Sequence, residues 1–187
     1  MTFLRSCVAL VAVLASPPSF ACGFHDSVQL QKGILNWVYP DSLHVGTAVW
    51  MAQEAGRLAR DNLAGNDDLT PEARNRLGYL RASLLLAKFR LALDAVRGSG
   101  SRPNMSVVLL GPVLWSRYEN TEAQLRLELH VGGPAQGDVV VVTDAPVIDA
   151  LVAGRLGARE ALELGVVRVY GSAADSGHAI EWLSAIH

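Results

Sequence analysis

The stretch Asp138–Gly171, DVVVVTDAPVIDALVAGRLGAREALELGVVRVYG, decides the fold. Val139 to Val142 form a short β-branched run bounded by polar residues, which reads as a strand. Asp144 can accept from the free N–H groups at the start of a helix, and Pro146 suits that helix's first turn. Gly154 fits a left-handed exit. A second short helix is predicted near Ala158 to Leu164, closed by Gly165. Val166 to Gly171 then return as a strand with Val167 and Val169 inward and Arg168 outward.

Working upstream, LRLELHV (Leu125 to Val131) alternates cleanly. Leu125, Leu127, Leu129 and Val131 share one face, and Arg126, Glu128 and His130 the other. That period of two marks a half-buried antiparallel strand. Ser106 to Tyr118 reads as strand broken near Gly111-Pro112, because proline cannot donate to a ladder. Gly132 to Gly137 (GGPAQG) turns the chain into Val139. Downstream, Ser176 can cap a last helix carrying Ile180, Leu183 and Ile186.

The first half reads as helix. Pro40-Asp41 opens one that is predicted to run to about Ala64, with Val45, Ala48, Val49, Ala52, Ala55, Leu58 and Ala59 at helical spacing. Thr70-Pro71-Glu72 is a strong start for a second, combining a cap, a first-turn proline and an acid at the positive end of the dipole. Leu77, Leu80, Leu84, Ala87, Leu91 and Ala95 then repeat every three or four residues. The pair is predicted to form a hairpin with one buried stripe on each helix. The expected fold class is therefore α+β: an N-terminal helical hairpin, then an antiparallel sheet with short helices packed on one face. The expected divisions are a signal peptide over 1–21, an N-terminal segment and first helix over 22–69, and the α+β domain over 70–187.

If the short helices stand slightly off the sheet, the gap between them is lined by Leu127, Leu129, Val140, Val142, Ile148, Leu151, Leu162, Val167, Val169 and Leu183. Such a gap can hold an acyl or isoprenoid chain, since burial is worth ~0.8 kcal/mol per CH₂. The same side chains can equally fill the space themselves, as cores do.

The segment VAGRLGAREALELGVVRVYG (Val152 to Gly171) resembles the second half of the sterol-carrier-type lipid-binding domains. The matching positions are Gly154, Arg155, Leu156, Ala161, Gly165, Val167, Val169 and Gly171. The resemblance runs over about 138–187 and more weakly from about 70; residues 22–69 are not matched. It implies a helix-covered sheet and a non-enzymatic carrier of an apolar ligand.

The N-terminus speaks to location. Arg5, the apolar run Val8 to Ala15, and the small residues Ser19 and Ala21 have the layout of a secretory signal cleaved after Ala21. The apolar run is shorter than the ~20 residues a spanning helix needs. A periplasmic or secreted protein is expected, and an Ala- and Arg-rich composition agrees with a bacterial periplasm. Cleavage would expose Cys22 and leave it as the one cysteine, so no internal disulfide can form. Cys22 leaves three readings open: a lipid anchor, a metal ligand, or an ordinary thiol. In the second, Cys22, His25 and His44 would bind copper or zinc, with Asp26 an alternative to His44. The lipid anchor fits less well, since Ser19 and Phe20 stand where a lipoprotein signal has an aliphatic and a small residue.

In WVYPDSLH (Trp37 to His44), the aromatics staple the chain to the core while Asp41 caps; the other reading is a pocket in which Asp41 orients His44. Formal net charge is −2 with no basic run. Sequence-independent nucleic-acid binding, which depends on Lys and Arg neutralising phosphates, is thereby disfavoured. No Gly-x-Ser-x-Gly elbow, Walker loop, dinucleotide fingerprint or His-Glu-x-x-His pair is present. The expected function is a binding protein without catalytic residues or a cofactor, acting on an apolar small molecule. The alternatives are a periplasmic metal-handling protein and an accessory partner of another periplasmic protein.

Overall fold

The computed structural model describes residues 27–60, 70–98 and 102–186. The signal segment, Cys22 and His25 lie outside the described residues. Among the described residues, six α-helices and a five-stranded sheet make an α+β fold: α1 Ser27–Val38, α2 Ser42–Glu54, α3 Pro71–Ala95, β1 Met105–Leu109, β2 Leu114–Asn120, β3 Leu125–Leu129, β4 Val139–Thr143, α4 Ala145–Val152, α5 Ala158–Glu163, β5 Arg168–Tyr170 and α6 Ala173–Ser184. No helix among them is long and apolar enough to cross a membrane.

Punctuation in the sequence sets most boundaries. Thr70 Oγ1 accepts from the Ala73 amide at 3.2 Å, and Asp144 Oδ1 from the Ala145 amide at 2.8 Å. Gly154 and Gly165 leave α4 and α5 at φ 66° and 71°, where a side chain would be strained. The last helix starts earlier than expected. Ser172, rather than Ser176, is the cap, its Oγ accepting from the Asp175 amide at 3.1 Å.

The sheet order is β3-β2-β1-β4-β5. The expectation of a purely antiparallel sheet is corrected: β1 and β4 pair in parallel, with Met105 opposite Val139 and Leu109 opposite Thr143. The cause is Gly111-Pro112. It does not merely interrupt one strand but turns the chain back, so that β1 and β2 pair as a hairpin closed by Leu109 and Leu114. That hairpin and β3 fill one flank of β1, and β4 must join on the other.

Register divides the side chains into two faces. Leu127, Tyr118, Met105 and Val139 stand in one row, and Val169 is opposite Val141 on the same face. Glu128, Arg117, Ser106, Val140 and Tyr170 form a row on the other. The first face meets α3: the buried Tyr118 hydroxyl donates to the Leu86 carbonyl at 3.1 Å. From α6, Trp182 Nε1 donates to the Leu93 carbonyl of α3 at 2.9 Å. The second face is covered over β4 and β5 by α1 and α2. Tyr39 packs on Trp115 and Tyr170, and Val140 and Val142 are buried beneath.

Helices therefore cover both faces, not one, and the expected N-terminal hairpin does not form. α2 ends at Glu54 rather than near Ala64, and α2 and α3 sit on opposite sides of the sheet. The α3 stripe is corrected too. Its buried residues are Ala82, Leu86, Phe89 and Leu93, while Leu80, Leu84 and Leu91 from the expected stripe are exposed. α3 carries two apolar stripes, and the sheet selects the one whose Phe89 ring meets Tyr118 edge-on at 5.6 Å.

Candidate functional site

The ten residues predicted to line one gap are parted by the pleat. Leu127, Leu129 and Val169 lie on the α3 face of the sheet, and Val140 and Val142 on the α1–α2 face. A single chamber on one side of the sheet cannot hold both sets. Ile148, Leu151 and Leu183 are buried on their helices, Val167 is buried just before β5, and Leu162 is half-buried against them. All belong to one continuous core.

His44 is on α2, with its side chain 73% exposed and Nδ1 at 3.4 Å from Asp41 Oδ1. Among the described residues no group of three His, Cys, Asp or Glu side chains could hold a metal ion. Asp41 does not cap α2. It sits at φ 66°, and its other oxygen lies 3.9 Å from Arg168. Asn36, in the last turn of α1, does the capping instead, its Oδ1 accepting from the Leu43 amide at 3.2 Å. The aromatic staple is divided: Tyr39 packs inward, and Trp37 is 86% exposed.

A cleft of about 460 Å³ opens on the α1–α2 side. Val140 forms its floor, Tyr39 and Tyr170 one wall, and the loop Pro134–Gly137 with Asp138 and Gly171 the other. Three local features build it. Tyr39 follows α1, and Pro40 takes the Tyr170 hydroxyl at 2.7 Å on its carbonyl oxygen, tying the helix junction to β5. The two rings stand 5.2 Å apart at 55°. Gly171 lets the chain pass close to β4, since a Cβ there would meet Ser176 Oγ at 3.3 Å and Val139 Cγ2 at 3.4 Å.

Asp138 anchors the loop. Its carboxylate accepts from Ser106 Oγ at 2.6 Å, Arg117 Nε at 2.9 Å and the Ala135 amide at 3.3 Å. Its side chain is 1% exposed, so it offers the cleft little free charge. The hydrogen bond to Asp138 in turn holds the Arg117 guanidinium above its ordinary range.

Burial pushes the Tyr39 phenol up, and it pushes the Tyr170 phenol up against the opposing pull of Arg168. Both stay protonated at neutral pH. The described lining includes no Ser, Cys, His or Lys. The arrangement can stack on, and shelter, an uncharged flat or aliphatic group, and it offers no nucleophile. Sequence reading missed this cleft because its walls come from three stretches far apart in the chain. The signals present beforehand were the aromatic cluster at Trp37 to Tyr39 and the glycines flanking Pro134 and Tyr170.

No protein-family model matches the chain, and no curated protein matches it. Among solved structures, the chain is similar to the stereoselective inverting sec-alkylsulfatase Pisa1 from Pseudomonas sp. The likeness has 19% identity and a TM-score of 0.37, over 45% of this chain and 13% of that one. A double mutant of PisA1 gives 19% identity and a TM-score of 0.42, over 63% of this chain and 16% of that one. The chain thus spans less than a fifth of those proteins, and the likeness bears on neither its fold nor its activity.

Proposed function

We propose that the protein is a non-enzymatic binding protein, exported after cleavage near Ala21, that holds a small apolar or aromatic molecule in the Tyr39–Tyr170 cleft. The observation that carries this reading is the cleft itself. Its volume falls within the ~300–1,000 Å³ typical of small-molecule sites, and two aromatic rings stand beside an apolar floor at Val140. The resemblance of 138–187 to sterol-carrier-type domains supports an apolar ligand. The geometry favours a place for it on the α1–α2 side, because the positions between sheet and α4–α6 are occupied by packed side chains.

Titration of delipidated protein with a fluorescent acyl probe and a neutral aromatic probe tests this. Binding is expected for at least one, weakened about tenfold or more by Tyr39→Ala and unchanged by the distant Leu84→Ser. Absence of binding by both probes, or equal binding by the Tyr39→Ala protein, overturns it. Mass spectrometry of the exported chain checks the cleavage site.

A further inference from the structure

The stripe that sequence reading assigned to the core of α3 is the strongest unassigned feature of the surface. Leu77, Leu80, Leu84, Ala87 and Leu91 follow one another at spacings of three, four, three and four residues. That is the 3.5-residue seam of a coiled coil rather than a broad amphipathic face. Leu80, Leu84 and Leu91 are 57%, 66% and 57% exposed, on a helix whose opposite stripe is fully packed. The helix needs no second apolar stripe for its own fold.

The flanks of the seam have one sign. Arg76, Arg81 and Lys88 border it, and between Ala73 and Leu93 there are five basic residues and no acidic one. The chain as a whole is slightly acidic, so this is a local concentration. It argues against a second copy as the occupant. Parallel pairing of two α3 helices would set Arg76 against Arg81 of the other copy, and antiparallel pairing centred on Leu84 would set Arg81 against Lys88. The seam is also narrow, with three exposed leucines and no exposed Trp or Phe among them, which suits one helix better than the wide apolar face of a membrane-surface helix.

We infer that the outer face of α3 docks an amphipathic helix of another protein, with aliphatic residues at the seam and Asp or Glu along both borders. Leu80, Leu84 and Leu91 would supply the contact, and Arg76 and Lys88 the choice of partner. This surface lies on the side of the sheet away from the Tyr39–Tyr170 cleft, so the two sites stand or fall separately.

The test uses the full mature chain and two synthetic four-heptad peptides. Both have Ile and Leu at the seam; one has Glu at the bordering positions and the other Lys. Vesicles of phosphatidylglycerol form a third arm. The Glu peptide is expected to bind at least tenfold more tightly than the Lys peptide, to weaken as salt rises, and to lose at least tenfold with Leu84→Ser. The double variant Arg76→Glu/Lys88→Glu, whose changes are confined to exposed side chains, is expected to reverse the preference. Equal binding of the two peptides, failure of the Glu peptide to bind, or an unreversed preference in the double variant overturns the inference. Vesicle binding that Leu84→Ser abolishes, without peptide binding, assigns the face to a membrane instead and equally overturns it.

Discussion

The two faces of the sheet are built from the same five strands, yet they are closed in different ways. The α3 face carries Met105, Val107, Tyr118, Val139 and Val141, all buried, under helices that meet it with Leu86, Phe89 and Trp182. Its buried polar side chains all find carbonyl acceptors: the Tyr118 hydroxyl and the Trp182 indole on α3, the Ser116 hydroxyl on Val107 and the Thr143 hydroxyl on Val166. The α1–α2 face is apolar only over Val108, Val140, Val142 and Trp115. Across β2 and β3 it becomes a charge lattice, with Arg117 to Asp138 at 2.9 Å, Arg117 to Glu119 at 3.6 Å and Arg126 to Glu119 at 3.3 Å. The first face is a sealed core. The second is part core and part surface, and the cleft lies near where the two parts meet.

The largest effect is expected on the sealed face. Trp182 is fully buried and bridges α6 to α3. Trp182→Ala should cost ~4 kcal/mol, as large aromatic truncations in cores do. For a chain of this size that lowers Tm by about 10 °C in thermal unfolding. A loss below ~1.5 kcal/mol would show that this face collapses around the cavity and is not tightly packed.

Next comes the lattice. Asp138→Ala leaves Ser106 Oγ and the Arg117 guanidinium without their buried acceptor. Breaking a largely buried pair from one side should cost ~3 kcal/mol and respond little to salt. The loss should also raise hydrogen exchange at the Ala135 amide, which donates to the same carboxylate. A cost under ~1 kcal/mol that shrinks further with salt would class Arg117–Asp138 with exposed ion pairs and erase the distinction between the two parts of that face.

The difference between the faces also sets what the sequence disclosed. Local signals were legible because they act over a few residues: the caps Thr70 and Asp144, the exits Gly154 and Gly165, the alternation of Leu125 to Leu129. What depended on long-range pairing was not. Nothing in Val139 to Val142, apolar on both faces, says which residues point which way, and the sequence alone does not part Val140 and Val142 from Leu127. The continuous run was itself the clue to a strand covered on both sides. The α3 stripe failed for a related reason: the helix has two apolar stripes, and only contact with Tyr118 distinguishes them. The cleft was least legible, being assembled from residues as distant as Tyr39 and Tyr170.

The smallest effect sharpens the account of the sealed face through its buried phenol. Tyr118 gives up its hydrogen bond to Leu86 in Tyr118→Phe, which should cost ~1 kcal/mol at neutral pH. The pH dependence is more diagnostic. Burial raises the Tyr118 phenol far above the ordinary range, and it raises Tyr39 and Tyr170 as well. Above pH ~10 the unfolded chain releases these protons while the folded chain keeps them. Stability is therefore complete below the unfolded tyrosine value and is lost as pH climbs from there toward the folded values. The loss is ~1.4 kcal/mol per pH unit for each group still protonated only in the folded state. Denaturant unfolding between pH 9 and 11.5 should show that decline, and Tyr118→Phe should make it shallower. Tyr39→Phe should flatten it less, because that ring lines an open cleft. Equal flattening by the two variants would mean that both phenols are equally cut off from water, and that the α1–α2 face is closed as completely as its opposite.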